Sequence, residues 1–327
     1  MDNRIKNLFG QKPQGLLSVY FTAGYPNLDD TVPVILELEK NGVDLIEVGM
    51  PFSDPLADGP TIQQSSDIAL KNGMTIPKLF EQLQTIRQHT QIPLVLMGYL
   101  NPVMQYGVER FCQKAQEVGI DGIILPDLPL VDYVREFKPI FERHQLSKIF
   151  LITPQTPEQR IREIDSHTNG FVYMVSSAST TGSTNGKAVV NTGYFERVGK
   201  MGLKNPGMIG FGIHDRDTFA QACNHAKGAI IGSAFIKALA QEGSLEQNSQ
   251  KFIQSIKNLH DHTTAAKHTH STERQYSAAG KQNRLQSQRS ADAAGPLPRG
   301  HRQERLRHPH HRETSGCGRR APRVGGV

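Results

Sequence analysis

The chain has 327 residues, enough for one large α/β domain or two ordinary ones. Its formal net charge of +6 is carried by one end: residues 258–327 hold 13 Lys+Arg and 5 Asp+Glu, which leaves 24 and 26 in residues 1–257. The basic balance is therefore no argument for nucleic-acid or membrane binding by the rest of the chain. No run of about 18 apolar residues is present, which excludes a membrane-crossing helix. The segment MDNRIKNLFG lacks the apolar stretch of a signal peptide. Cys112, Cys223 and Cys317 are far apart and show no metal-ligand spacing, so reduced thiols, a cytoplasmic location and no metal site are expected.

Up to about Lys257 strand and helix patterns alternate. A short helix is expected at RIKNLF. Eight strand candidates follow: LLSVYFTAG, DLIEVGM, PLVLMGY, DGIILPD, KIFLIT, GFVYMVS, GMIGFG and GAIIGSA. Most are continuous Val/Ile/Leu runs, which suit parallel strands covered on both faces. Between them lie helical stretches. DDTVPVILELEKNG opens on aspartates and closes at Gly42, a left-handed terminating position. TIPKLFEQLQTIRQHT, GVERFCQKAQEVG, LVDYVREFKPIFERH, TPEQRIREIDSH and RDTFAQACNHA come next, and SLEQNSQKFIQSIKN follows the last strand. Pro139 is expected to kink or split its helix. Eight strands and as many helices in about 257 residues predict a (β/α)8 barrel with an extra N-terminal helix. An open doubly wound sheet is the rival, weakened by the lack of G-x-G-x-x-G after the first strand.

In such barrels chemistry sits at the C-terminal ends of the strands. In DLIEVGM, Ile46 and Val48 share one face, while Leu45, Glu47 and Gly49 share the other. If the branched pair packs on helices, Glu47 points into the barrel, where desolvation raises its pKa toward that of a general acid/base. A structural ion pair with a buried Lys or Arg is the competing reading. Asp54 and Asp58 follow on a loop and fit turn positions equally well. Gly210, Gly212, Gly232 and Ser233 end the seventh and eighth strands, where phosphate sites are often built from backbone N–H groups. Phe21, Tyr99, Tyr173 and Phe211 lie toward strand ends and suit either a flat apolar pocket or simple barrel filling. Tyr173 stands apart, because a buried phenol requires a hydrogen-bond partner. Asp215 reads as a helix cap.

Taken together, IEVGMPFSDPLADGP, YFTAGYPN, PLVLMGYLNPVMQYG, GIILPDLP, GFVYMVSSASTTG, GFGI and GAIIGSAFIK resemble the tryptophan synthase alpha subunit family over about residues 1–257. The resemblance implies a TIM barrel that cleaves indole-3-glycerol phosphate to indole and glyceraldehyde 3-phosphate by a retro-aldol step. It implies no cofactor in this chain. Pyridoxal phosphate is expected only in a partner beta subunit, within an alpha2beta2 assembly. The resemblance makes Glu47 the general acid/base, Asp58 the partner of the indole N–H and Tyr173 an active-site tyrosine. It assigns Phe21, Tyr99 and Phe211 to the indole pocket, and Gly182, Gly210, Gly212, Gly232 and Ser233 to the phosphate. Thr181 matches a mobile-loop threonine that closes over the site. The loop PFSDPLADGP and the segment NPVMQYG match the family's contact surface for the beta subunit. Two positions depart from the pattern: Ser177, where many members carry arginine, and His214, where serine is common.

Two other functions compete, another phosphate-binding barrel such as an isomerase or epimerase, and a catalytically weak barrel acting as an allosteric partner. The loop PFSDPLADGP separates the first from the lead reading, and Glu47 with Asp58 argues against the second. From about Asn258 to Val327 the sequence is rich in Arg, His, Gln, Ser, Ala and Gly and poor in large apolar residues. Such a segment is expected to be disordered and outside the family pattern, because it buries too little surface to offset ordering entropy. An out-of-frame or read-through origin fits its composition best. Without interleaved aromatics it does not resemble a nucleic-acid-stacking surface.

Overall fold

The computed structural model describes residues 3–176 and 192–257. Nine parallel segments form the sheet: β1 (Leu16–Thr22), β2 (Leu45–Gly49), β3 (Leu94–Met97), β4 (Gly122–Ile124), β5 (Ser147–Ile149), β6 (Leu151–Ile152), β7 (Val172–Val175), β8 (Gly207–Gly210) and β9 (Gly228–Ile231). Each pairs with its neighbour in sequence except β5 with β6, and β9 pairs with β1. β5 and β6 are the two halves of the predicted strand KIFLIT, separated by Phe150. β5 pairs with β4 and β6 with β7, so this segment closes the ring of a TIM barrel.

The alternation of side chains sorts the core into two layers. Leu16, Leu45, Val95, Ile124, Ile149, Phe171, Met208 and Ile230 fill the barrel interior. Leu17, Val19, Ile46, Val48, Leu94, Leu96 and Ile123 face outward onto the helices. The predicted N-terminal helix spans Arg4–Gln11 and starts at Asn3, whose side chain accepts from the Lys6 N–H at 3.0 Å. Its Ile5, Leu8 and Phe9 plug the bottom of the barrel, with the Phe9 ring 6.1 Å from that of Phe171. The buried carboxylate of Asp121 ties the plug down. It accepts from Arg4 at 3.0 Å, from Arg87 at 2.8 Å and from the Leu94 N–H at 2.9 Å.

Most helices follow the sequence pattern. Thr31–Lys40 ends at Gly42 with φ +86°, as expected. The helix around Pro139 divides, with a π-helical turn at Tyr133–Phe137 before the helix Lys138–Arg143. Four helices fall outside the stretches expected from the sequence: Pro60–Lys71, Leu100–Tyr106, Thr192–Lys200 and Ser233–Leu239. The buried face of Pro60–Lys71 is Ile62, Ser65, Ser66 and Ala69, too small and polar to give an apolar stripe. The expected tail beyond Asn258 lies outside the described residues.

The plug yields a stability prediction. Ile5→Ala opens a void in a fully buried layer and is expected to cost about 2–5 kcal/mol. Urea unfolding midpoints of parent and variant measure it.

Candidate active site

β1 and β2 pair with Ser18 opposite Leu45 and Tyr20 opposite Glu47. Leu16 and Leu45 belong to the barrel interior, so Ser18, Tyr20 and Glu47 share that inward face. Glu47 is fully buried. Its Oε1 accepts from the Ser18 hydroxyl at 3.2 Å, and its Oε2 has no partner among the described residues. Burial pushes the carboxyl up to about 8, with the Ser18 hydrogen bond opposing. The competing reading of a structural ion pair fails, because no Lys or Arg pairs with Glu47 among the described residues. At neutral pH the side chain is a protonated acid with one unspent oxygen.

Asp58 lies half-buried on the loop between β2 and the helix Pro60–Lys71. Its Oδ2 accepts from the Tyr99 hydroxyl at 3.0 Å, and that hydroxyl in turn accepts from the Ala57 N–H at 3.1 Å. Desolvation raises Asp58 to about 6, with the Tyr99 bond opposing. The two acids are thus set apart: Glu47 holds its proton at pH 7 while Asp58 is largely charged. Phe52 stacks at a tilt 5.2 Å from the Tyr99 ring and supports it.

Two inward tyrosines complete the interior. Tyr173 on β7 is buried and meets Phe211 at 5.9 Å in an edge-on contact. Burial first, then the charges of Glu47, Asp58 and Tyr20, hold its phenol far above its usual range. Tyr20 is held up by burial, then by Asp58, with smaller contributions from Tyr99 and Glu47. Both phenols therefore stay neutral donors facing both acids. Each needs a glycine beside it. A Cβ on Gly49 would fall on the Tyr20 hydroxyl, and a Cβ on Gly210 would fall on the Tyr173 hydroxyl.

These placements correct the sequence reading at one point. Phe21 does not face the site. It packs outward in the layer of Leu17 and Val19, and the inward aromatic of β1 is Tyr20. A one-residue step along a strand exchanges faces, and adjacent Tyr and Phe give no hydropathy difference to fix it. Gly210 ends β8 opposite Val175 and leaves room for the Tyr173 phenol, a position compatible with its expected place at the phosphate. Gly212 follows Phe211 at the end of β8. The two have φ +75° and +67°, a left-handed pair that turns the chain and directs the Phe211 ring onto Tyr173, at roughly 1 kcal/mol for the phenylalanine. Gly232 and Ser233 open the helix Ser233–Leu239, and the Ser233 hydroxyl is buried without a partner among the described residues. Thr181, Gly182 and Ser177 lie outside the described residues. Asp215 caps its helix, accepting from the Thr218 N–H at 2.8 Å. His214 is exposed beside it.

A family model described as tryptophan synthase alpha chain matches residues 7–267. The tryptophan synthase alpha chain of Flavobacterium psychrophilum is 59% identical over 254 residues, covering 78% of this chain and 99% of the relative. That of Flavobacterium johnsoniae is 60% identical over 247 residues, covering 76% and 97%. This chain belongs to the tryptophan synthase alpha chain family. It is the lyase subunit that cleaves indole-3-glycerol phosphate in tryptophan biosynthesis. The solved structure of tryptophan synthase subunit alpha from Legionella pneumophila str. Paris superposes with a TM-score of 0.71 at 34% identity, covering 78% of this chain and 97% of that one. A Mycobacterium tuberculosis tryptophan synthase structure gives 0.70 at 31% identity, covering 78% and 99%.

The buried acid makes stability depend on pH. Glu47 rises from 4.5 to about 8 on folding, so its favourable contribution is complete below 4.5 and is lost as pH climbs through 8. Glu47→Gln mimics the protonated form at every pH. The variant is expected to be more stable than the parent by about 4 kcal/mol at pH 8, with the gap closing toward pH 4.5. Urea titrations at pH 8 and pH 5 test this; an equal gap at both would exclude Glu47 as its source.

Proposed function

We propose that Glu47 and Asp58 divide the proton chemistry of indole-3-glycerol phosphate cleavage. Glu47, protonated, gives its proton to indole C3, and the ring becomes a cation with its charge centred at nitrogen. Asp58, ionised, accepts a hydrogen bond from the indole N–H and stabilises that cation. The Glu47 carboxylate then takes the proton of the glycerol hydroxyl next to the ring. The C–O bond becomes a carbonyl, the carbon–carbon bond breaks and its electrons return to the ring. Indole and glyceraldehyde 3-phosphate leave, and Glu47 is protonated again.

One observation carries this assignment: two carboxyls on the same strand and its following loop, one near 8 with a free oxygen and one near 6 held by Tyr99. Tyr173, Tyr20, Tyr99 and Phe211 border the ring in this reading. Gly210, Gly212, Gly232 and Ser233 receive the phosphate, and the Ser233 hydroxyl, unpartnered among the described residues, supports that placement. Thr181 and Gly182 keep the roles the resemblance gave them. The proton transfers need only side-chain acids and bases, so no cofactor is assigned to this chain, and pyridoxal phosphate chemistry is left to the partner. We take residues 1–257 as the catalytic unit and the enzyme as cytoplasmic. Among the described residues no helix is long and apolar enough to cross a membrane.

The family implies a beta subunit, and we propose an alpha2beta2 assembly. Supporting it, four large apolar side chains are exposed on the segments that follow consecutive strands β2, β3 and β4. They are Leu56 (89% exposed), Met104 (51%), Val131 (63%) and Val134 (38%). An exposed apolar surface at one rim of the barrel suits a partner better than water.

Three outcomes follow. Indole release from indole-3-glycerol phosphate should show a bell-shaped kcat/KM profile, rising near pH 6 as Asp58 ionises and falling near pH 8 as Glu47 loses its proton. Glu47→Gln should abolish release; retention of parental activity would remove Glu47 from the chemistry. Val131→Asp should keep its far-UV spectrum yet fail to co-elute with a cognate beta subunit, whereas undiminished co-elution would place the interface elsewhere.

A further inference from the structure

Lys148 on β5 is fully buried, on the outward face of the barrel wall. Among the described residues it pairs with no carboxylate. Its Nζ donates to the carbonyl of Ile149 at 3.1 Å and to that of Leu125 at 3.3 Å, and lies 4.5 Å above the Phe150 ring. Those two carbonyls belong to neighbouring strands, at the point where the β4–β5 ladder ends with Ile124 opposite Ile149. Burial pulls the ammonium down to about 7, opposed by the charge of Asp127. A charge in such a place costs free energy that an apolar chain of equal length avoids.

What the ammonium holds leads to the active site. The Leu125 carbonyl also accepts from the Leu128 N–H at 3.3 Å, closing the turn that carries Asp127. Both Asp127 oxygens lie 3.0 Å from the Leu100 N–H, at the start of the helix Leu100–Tyr106. The residue before it is Tyr99, whose hydroxyl donates to Asp58 at 3.0 Å. We propose that Lys148 is a positioning residue for Asp58: by clamping the Leu125 and Ile149 carbonyls it fixes the Asp127 turn, and through Leu100 it holds the Tyr99 hydroxyl on the Asp58 carboxylate. Its catalytic importance rests on the reading of Asp58 as the partner of the indole N–H. Without the ammonium, the Leu125 carbonyl keeps only its bond from the Leu128 N–H, both carbonyls lose their shared donor, and the turn relaxes.

The titratable groups facing Asp58 are Tyr20, Tyr99 and Tyr173, and the charge facing Lys148 is Asp127. The test is the titration of the Asp58 carboxyl carbon by 13C NMR in the full chain, for the parent, Lys148→Met, Tyr99→Phe and the double variant. Tyr99→Phe removes the hydrogen bond that lowers Asp58 and moves its midpoint upward. Lys148→Met is expected to move it in the same direction by several tenths of a pH unit, and the double variant no further than Tyr99→Phe alone. A parental midpoint in Lys148→Met overturns the proposal. So does a shift that adds in full to that of Tyr99→Phe, which would be a direct charge effect. If Lys148→Met does not fold, Asp127→Asn, at an exposed position, takes its place, and a parental Asp58 midpoint in that variant overturns the proposed route. The titration uses no substrate, so an inactive parent would sink the functional reading without touching this result.

Discussion

The site depends on one costly placement, a carboxyl group in the dry interior of a barrel with no cation beside it among the described residues. Glu47 is tolerated because it can be neutral. Its raised pKa is the same free energy that destabilises its ionised form, and it makes the group a proton donor near pH 7. Acidity and instability here are one quantity, and the barrel wall supplies both by excluding water.

Other features of the interior follow from that placement. Tyr20 and Tyr173 sit on either side as neutral phenols, and the surrounding negative groups reinforce burial in keeping them protonated. Their hydroxyls occupy space that only Gly49 and Gly210 leave open. Asp58, on a partly exposed loop and held by Tyr99, is also raised by desolvation, but less far than Glu47. The contrast between a strand position and a loop position within twelve residues of sequence is what separates an acid from a base.

Much of the architecture was legible in the chain. Continuous branched runs marked the strands, Gly42 and Asp215 marked helix ends, and the glutamate interrupting DLIEVGM marked the site. The helices Pro60–Lys71, Leu100–Tyr106 and Ser233–Leu239 were not legible, because short or weakly apolar faces carry little periodicity and their formation is decided by what they pack against. Phe21 was assigned to the pocket because the YF pair has no internal mark of register. The alternation was known, but which phase of it faced inward was not.

By itself the sequence determined the barrel class, the placing of Glu47 on the strand face opposite Ile46 and Val48, and the acid-bearing loop after it, since these follow from local pattern and the period of a strand. Only the tertiary structure decided that Tyr20 rather than Phe21 faces the site, that Gly210 yields its space to a phenol, that Tyr99 grips Asp58 and that a buried Lys148 bridges two strands. Each of these joins residues distant along the chain or depends on register between strands. Register is fixed by the closure of the whole ring, a constraint that no single segment contains.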